Sequence, residues 1–501
     1  MSDLKATVQE TKTGFHVEGY EKIEYDFTFL DGVFDTKNSN LADCYTRWGR
    51  CLAVMDLNIY NIYGEQIEKY FDHYKMDLKI HKTMIGEKAK TMDTLLSIVD
   101  SMTEFGIIRK EPVLVVGGGL VTDVAGFACA AYRRNTNFIR VPTTVIGLID
   151  ASVSIKVAVN YGNYKNRLGA YHAPMHTFLD FTFLRTLPKG QVRNGFAELI
   201  KISTCAHLPT FNLLDKYCEQ LIETGFGRKD GAPEEVIKAA DEINRAGIHE
   251  MLKLETPNLH EIGLDRVIAY GHTWSPLHEL VPEVPLRHGH AISIDMAYSA
   301  TLANMRGLLS DEEHKRLLNL FSRAGLSMDH HDFNEEILDK ATKAILKTRD
   351  GLLRAAVPNP IGSCVFLNDV SAEEMNAALR KHKEICKGYP RNGEGLEAFV
   401  DSSDTGYTMN NKPVEAKTNG ANGHVSNGTV INDDTKLNGK PIQNGDSVKA
   451  ATKHASGPEG VDGLQNPVTN GVTEHANGIN GHSNGTNGHS NGTNGHSNGV
   501  H

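Results

Sequence analysis

The stretch from Pro112 to Gly169 limits what this chain can fold into more than any other. Residues 113–116 are an unbroken aliphatic run, followed at once by Gly117, Gly118 and Gly119 and then by helix-compatible sequence containing Asp123. A strand, a glycine turn and a helix N-terminus read this way. Together they suit a pyrophosphate, because the turn presents backbone N–H groups, the helix end adds partial positive charge and glycine permits close approach. A second buried strand is predicted over 138–141, leading into Pro142, Thr143 and Thr144. Beyond it, Asp150, Lys156, Lys165, Asn166 and Arg167 crowd charged and amide groups into glycine-punctuated sequence, more chemistry than a connecting loop needs.

Up to residue 189, short apolar strands alternate with helical stretches: a hairpin is predicted over 25–34, a buried strand over 51–55 that ends in Asp56, Leu57 and Asn58, and an amphipathic helix over 91–105. Such alternation favours an α/β layered domain with a largely parallel sheet. From 190 to 390 the period becomes helical, with helices predicted over 194–202, 210–224, 233–253, 288–306, 310–324 and 372–387. The expectation is a second, α-helical domain, with a cleft between the halves as the place for a site. From 391 to 501 the chain is rich in Asn, Gly, Ser and Thr, and NGHSNGT recurs every seven residues from Asn480 through Ser497. Without apolar a and d positions this period is no coiled coil, and so little apolar surface cannot offset chain ordering, so a disordered tail is predicted. His482, His489 and His496 lie in it without a rigid frame to hold a metal. The sequons at Asn427, Asn484 and Asn491 matter only in a secreted protein.

The net charge of −10 argues against a partner bound through phosphate neutralisation, nucleic acid above all. Seven scattered cysteines form no CxxC pair, which points to a reducing compartment rather than a disulfide framework or zinc knuckle. The opening MSDLKATVQE lacks the apolar core of a signal peptide, and no apolar run reaches bilayer length. A cytoplasmic protein without membrane partners is expected.

Three places in the helical half carry further chemistry. On one predicted helix, Glu198 and Lys201 fall on the same face; His272 follows Gly271, and His288 precedes Gly289. Singly, the first pair reads as a solvated ion pair and each histidine as a hydrogen-bonded structural residue. Together, one carboxylate and two imidazoles suit zinc with positions open to substrate, although no local motif links the three.

GGGLVTDVAGFACAAYRR, VPTTVIGLIDASVSIKVAVN, YKNRLGAYHAP, NGFAELIK, YGHT and HGH, in this order, resemble the sugar phosphate cyclases, the family of 3-dehydroquinate synthase, over roughly residues 19–391. The resemblance implies a Rossmann-like NAD-binding domain (1–189), an α-helical domain (190–390) holding a divalent metal, usually zinc, a small sugar phosphate substrate and a homodimer. Carried over by position, Asp56, Asn58, Glu87 and Lys90 match residues that hold the adenosine end of NAD. Gly117, Gly118, Gly119 and Asp123 match the pyrophosphate turn, and Thr143 and Thr144 the threonine pair beside the cofactor. Glu198, His272 and His288 match the metal ligands, and Asp150 and Lys201 groups that hold substrate hydroxyls. Lys156 and Asn166 match the phosphate end, with Lys165 beside them and Arg134 expected to reach in from the partner subunit.

Departures from dehydroquinate synthase narrow the branch. Asp265 stands where that enzyme has a carboxylate-binding arginine, Pro276 replaces the second histidine of GHTxxH, and Ala269 replaces a pocket asparagine. These replacements resemble the branches that use sedoheptulose 7-phosphate. Glu255, Ala269 and Thr348, with the phrases DASVSIKVAVN and LKTRDGLLRAAVP, resemble the gadusol-type branch rather than the valiolone-type one. Glu255 is the residue expected to move a proton for the extra water loss of the gadusol-type reaction. A valiolone-forming cyclase, dehydroquinate synthase itself, a metal-dependent polyol dehydrogenase of the same fold, and an inactive scaffold acting through the tail are the alternatives.

Overall fold

The computed structural model describes residues 4–83, 86–162 and 164–401. An antiparallel hairpin, β1 (Leu4–Thr11) and β2 (Gly14–Glu21), opens the chain. There follow β3 (Asp26–Phe29), the short α1 (Asn40–Asp43), β4 (Arg50–Asp56), α2 (Leu57–His73), β5 (Asp77–Thr83), α3 (Met92–Phe105), β6 (Val113–Gly117), α4 (Gly119–Ala131) and β7 (Phe138–Pro142). A π-turn over Gly147–Ala151, the hairpin β8 (Lys156–Tyr161) and β9 (Tyr164–Tyr171), and β10 (His176–Leu179) complete the strand-bearing part. Six strands form one parallel sheet in the order β3-β10-β7-β6-β4-β5.

Both faces of the sheet are covered, which is why its central strands read as continuous apolar runs. On one face Cys51, Ala53 and Met55 of β4 pack with Ile67, Tyr70 and Phe71 of α2. On the other, Leu52 and Val54 meet Leu95 of α3 and Val124 of α4. Asp56 caps α2, Thr91 caps α3, and Gly106, at φ +67°, ends α3 in the left-handed conformation that glycine tolerates.

The remainder is helical: α5 (Lys189–Ala206), α6 (Leu208–Glu223), α7 (Glu234–Glu255), α8 (Ser275–His278), α9 (His288–Met305), α10 (Asp311–Arg323), α11 (Glu335–Thr348) and α12 (Ala372–Cys386), interrupted by the hairpin β11 (Ala355–Pro358) and β12 (Cys364–Leu367). Helices α5 and α9 are buried almost all round and rich in small residues. They touch at Gly289, where an added methyl would collide with the Asn194 carbonyl; Gly195 likewise leaves room for Val145. That close approach sets the spacing of the functional side chains.

Several expectations need correcting. The hairpin expected over 25–34 is instead one edge strand, β3, paired with β10. After it the chain turns at Gly32 and sends Val33 and Phe34 into the core, with the Val33 N–H donating to buried Asp180 at 2.8 Å. The tail expected from 391 starts as part of the body: the Arg287 N–H donates to the Ala398 carbonyl at 2.8 Å, and Leu286 bridges to Phe399. Residues 402–501, with the seven-residue repeat, its histidines and the sequons, lie outside the described residues. All seven cysteines are free thiols. Among the described residues no helix is long and apolar enough to cross a membrane.

Candidate active site

Glu198 on α5 and His288 at the start of α9 converge, and the loop before α8 adds His272. His288 Nε2 lies 3.0 Å from Glu198 Oε1 and 3.3 Å from His272 Nε2, and the three donor atoms fall within 4.8 Å of one another. Each ring is oriented from behind. His288 Nδ1–H donates to Glu279 Oε2 at 3.1 Å and His272 Nδ1–H to the Tyr270 carbonyl at 3.3 Å, which leaves both Nε2 lone pairs aimed at one point. Burial, then the charges of Lys201 and His288, hold His272 well below the usual imidazole range. Burial also pulls His288 down, but the Glu279 and Glu198 carboxylates outweigh it and raise that ring to about 9. One carboxylate and two imidazoles with outer partners fit a divalent ion such as zinc, whose binding displaces the His288 proton.

One helical turn beyond Glu198, the Lys201 ammonium reaches Glu198 Oε2 at 2.5 Å and Asp150 Oδ2 at 2.9 Å, the latter carboxylate presented by the π-turn. Burial opposes its charge, but Asp150 and Glu198 overcome this and raise its pKa. Lys201 therefore stays protonated and acts as a donor, not a base. Lys156, at the start of β8, pairs with Glu255 at 2.8 Å and Glu261 at 3.1 Å. Lys165 joins Glu279, the carboxylate behind His288, at 2.7 Å to Glu87 at 3.4 Å. Lys90 Nζ donates both to Asp123, at 2.6 Å, and to the Asn166 side-chain oxygen.

The glycine turn opens onto the same space. Gly118 caps α4, whose first-turn N–H groups have no intrahelical acceptor. A Cβ on Gly118 would press on Thr144 at 3.1 Å and one on Gly119 on Ala151 at 3.0 Å, so bare backbone forms this wall. Thr144 Oγ1 accepts from the Gly147 N–H at 3.0 Å, while the buried Thr143 hydroxyl has no partner among the described residues. Asp56 accepts from the Asn58 N–H at 2.8 Å, and burial pushes its carboxyl up to about 6. A polar turn with open N–H groups, an unpartnered hydroxyl and a carboxylate at the far end fits a dinucleotide.

One cavity of about 1010 Å³ takes in Asp56, Asn58, Glu87, Lys90, Gly118, Gly119, Asp123, Thr143, Thr144, Asp150, Lys156, Lys165, Asn166, Glu198, Lys201, Ala269, His272 and His288. Gly117 is buried behind its wall, with Asp56 and Val121 packed against it. Four expected residues stand elsewhere. Glu255 and Asp265 line a neighbouring cavity of about 700 Å³ that shares Lys156 and Glu261 with the first. Asp265, which stands where dehydroquinate synthase has a carboxylate-binding arginine, is paired with Arg354 at 2.6 Å and so is neutralised outside the main cavity, while Arg266 and Arg349 line that cavity. Thr348, at the exposed end of α11, donates to the Ala344 carbonyl, and Arg134 is exposed on a turn. Sequence reasoning missed Glu261, Glu279, Arg266 and Arg349; only the placement of Glu279 nine residues before His288 hinted that it belongs with the ligands.

Comparison with known proteins resolves the class. Family models described as the N-terminal and C-terminal parts of 3-dehydroquinate synthase match residues 80–194 and 195–348. The chain belongs to the 3-dehydroquinate synthase family of sugar phosphate cyclases. It is an enzyme of that family. It is 56% identical over 399 residues to a demethyl-4-deoxygadusol synthase from Trichormus variabilis, covering 80% of this chain and 97% of the relative. A 2-epi-5-epi-valiolone synthase from an Actinoplanes species is 38% identical, covering 74% of this chain and 94% of its own. A solved 2-epi-5-epi-valiolone synthase from Streptomyces hygroscopicus subsp. jinggangensis, with NAD+ and Zn2+ bound, superposes with a TM-score of 0.69 at 36% identity, covering 74% of this chain and 99% of that one.

Proposed function

We propose that this chain converts sedoheptulose 7-phosphate into demethyl-4-deoxygadusol, phosphate and water, using NAD and a divalent metal, zinc by its donor set, at one site between a nucleotide-holding half (1–189) and a metal-holding half (190–390), the first step toward mycosporines. The reaction on this reading is a transient oxidation, phosphate elimination, re-reduction and intramolecular aldol closure, with no net redox change. When bound, NAD supplies reversible hydride acceptance and the ion, held by Glu198, His272 and His288, supplies Lewis acidity.

The chain's own groups do the rest. The charged Lys201 donates to a substrate hydroxyl that Asp150 accepts from, holding the alcohol beside the metal triad. Lys156 and Asn166, with Arg134 of a second copy, hold the phosphate, which takes a neighbouring C–H proton as it leaves. On this reading Glu255, which faces the neighbouring cavity and pairs with Lys156, relays a proton for the additional loss of water, together with Glu261, which pairs with the same lysine and lines the main cavity. The observation that carries this reading is the single cavity joining the metal triad, the Lys201–Asp150 pair and the glycine turn.

The test is incubation of the purified chain with sedoheptulose 7-phosphate and NAD. A conjugated enone chromophore, released phosphate and no lasting NADH support the proposal. A transparent cyclitol ketone carrying one more water would instead establish the valiolone-forming reaction, and steady NADH accumulation a polyol dehydrogenase.

A further inference from the structure

Histidines gather a second time in the helical half, outside the catalytic cleft. His330, His331 and Asp332 lie in the turn before α11, and one donor atom from each falls within 4.8 Å of the others. His331 Nε2 is 3.3 Å from Asp332 Oδ1, and His330 Nδ1 is 3.8 Å from Asp332 Oδ2. His278, the last residue of α8, packs against His330 and is fully buried. None of the four lines the main cavity.

Proton positions show which nitrogens are free. The Asp332 backbone N–H, which can only donate, points at His330 Nδ1 from 3.2 Å, so that nitrogen presents a lone pair. His278 Nε2 faces the same lone pair at 3.4 Å, while His278 Nδ1 has no partner among the described residues. With its proton on Nε2, His278 keeps a buried lone pair that nothing donates to; with the proton on Nδ1, two lone pairs oppose each other across 3.4 Å. Either way a buried imidazole is short of a partner, which buried polar groups rarely are. An ion between the rings accepts both facing lone pairs, and zinc–nitrogen bonds of about 2.0–2.1 Å on a tetrahedron set a donor spacing of about 3.3 Å. Burial holds both rings below the usual imidazole range, His278 at about 4, so both are neutral and able to ligate at neutral pH.

The surroundings suit a cation of this kind. Phe333 packs edge-on against His278 with ring centroids 5.2 Å apart, and Phe399 against His330 at 6.0 Å, so apolar walls flank the inner donors. The neighbouring Lys383 ammonium is committed to Asp329 at 2.7 Å and to the His330 carbonyl at 3.1 Å. Three imidazoles and a carboxylate select zinc, nickel(II) or copper(II) over magnesium or calcium, which take oxygen ligands.

The geometry points to a second transition-metal site, formed by His330, His331 and Asp332 with His278 as the inner donor, separate from Glu198, His272 and His288. The ion ties the turn before α11 to α8, the helix that leads directly into Glu279 behind His288, and so stiffens the helical half without taking part in the reaction.

Zinc content of the full chain in a chelator buffer tests it, comparing wild type, Glu198→Gln/His272→Asn, which lacks catalytic ligands, and His331→Ala/Asp332→Asn, whose first change lies at a side chain 78% exposed. Wild type holds about two zinc ions per chain and each double variant about one. Zinc still raises the melting temperature of Glu198→Gln/His272→Asn, and adding His331→Ala/Asp332→Asn abolishes that rise. His331→Ala/Asp332→Asn alone keeps its phosphate release within about twofold of wild type. A wild type with one zinc, lost in Glu198→Gln/His272→Asn, overturns the proposal. So does a second zinc that His331→Ala/Asp332→Asn retains, because it then sits on the histidines of 402–501. Turnover that falls together with the zinc lost from His331→Ala/Asp332→Asn overturns the separation of the two sites.

Discussion

Replacing Lys201 with methionine removes one buried cation from between two carboxylates. The side chain is 3% exposed, 2.5 Å from Glu198 and 2.9 Å from Asp150. At an effective dielectric of about 20 each such pair interacts by several kcal/mol before desolvation is subtracted, and half-broken buried pairs cost about 3–5 kcal/mol. In the metal-free enzyme, Glu198 and Asp150 then face each other uncompensated and the melting temperature falls. With zinc bound, Glu198 regains a cation and most of that loss disappears. The catalytic loss does not, because the hydroxyl donor is gone: about 2.7–4 kcal/mol, or about 10²–10³ in kcat. Zinc itself binds at least as tightly, since a competing cation has left its ligand. Phosphate release, zinc content and melting curves with and without zinc separate these effects. Turnover within about threefold of wild type would refute the donor role. So would loss of zinc in step with activity, because Lys201 would then act only through the metal site.

Three further outcomes follow from the same geometry. Glu279→Gln loosens His288 from behind and lowers zinc affinity by about 10–100-fold, read by chelator competition. Because burial pushes Asp56 up to about 6, and its ionised form accepts from ribose hydroxyls more strongly than the neutral acid, NAD affinity declines as pH falls through about 6; Asp56→Asn flattens this titration. Deleting 402–501 leaves turnover intact, whereas cutting after Arg391 removes Ala398, which accepts from Arg287, and Glu397, which pairs with Arg193, and so lowers both melting temperature and turnover.

Much of this was legible in sequence because it is local. The aliphatic run into Gly117–Gly119 marks β6, the turn and α4, and the helical period marks α5, α9, α10 and α12 to within a few residues. What escaped was non-local. The pairing of β3 with β10 joins residues about 150 positions apart, so local sequence over 25–34 resembles a hairpin that the fold does not form. The true hairpin, β1–β2, has its apolar residues on a face that its own chain leaves exposed, so burial gave no pattern to read. Helix α11, capped by Asn334, carries its signal locally and is absent from the helices expected above. At the site, residue types and order pointed to Glu198, His272 and His288, but no spacing rule shows Asp265 turning to Arg354 or Glu279 standing behind His288. Such contacts depend on where loops and helix ends meet.

The most direct test of the account is NADH absorbance through a single turnover, with enzyme, NAD and sedoheptulose 7-phosphate at matched concentrations. A rise that returns fully to baseline as one phosphate per site is released is the predicted result. NADH that persists in proportion to product, or phosphate released at an unchanged rate after the metal is stripped, would contradict it.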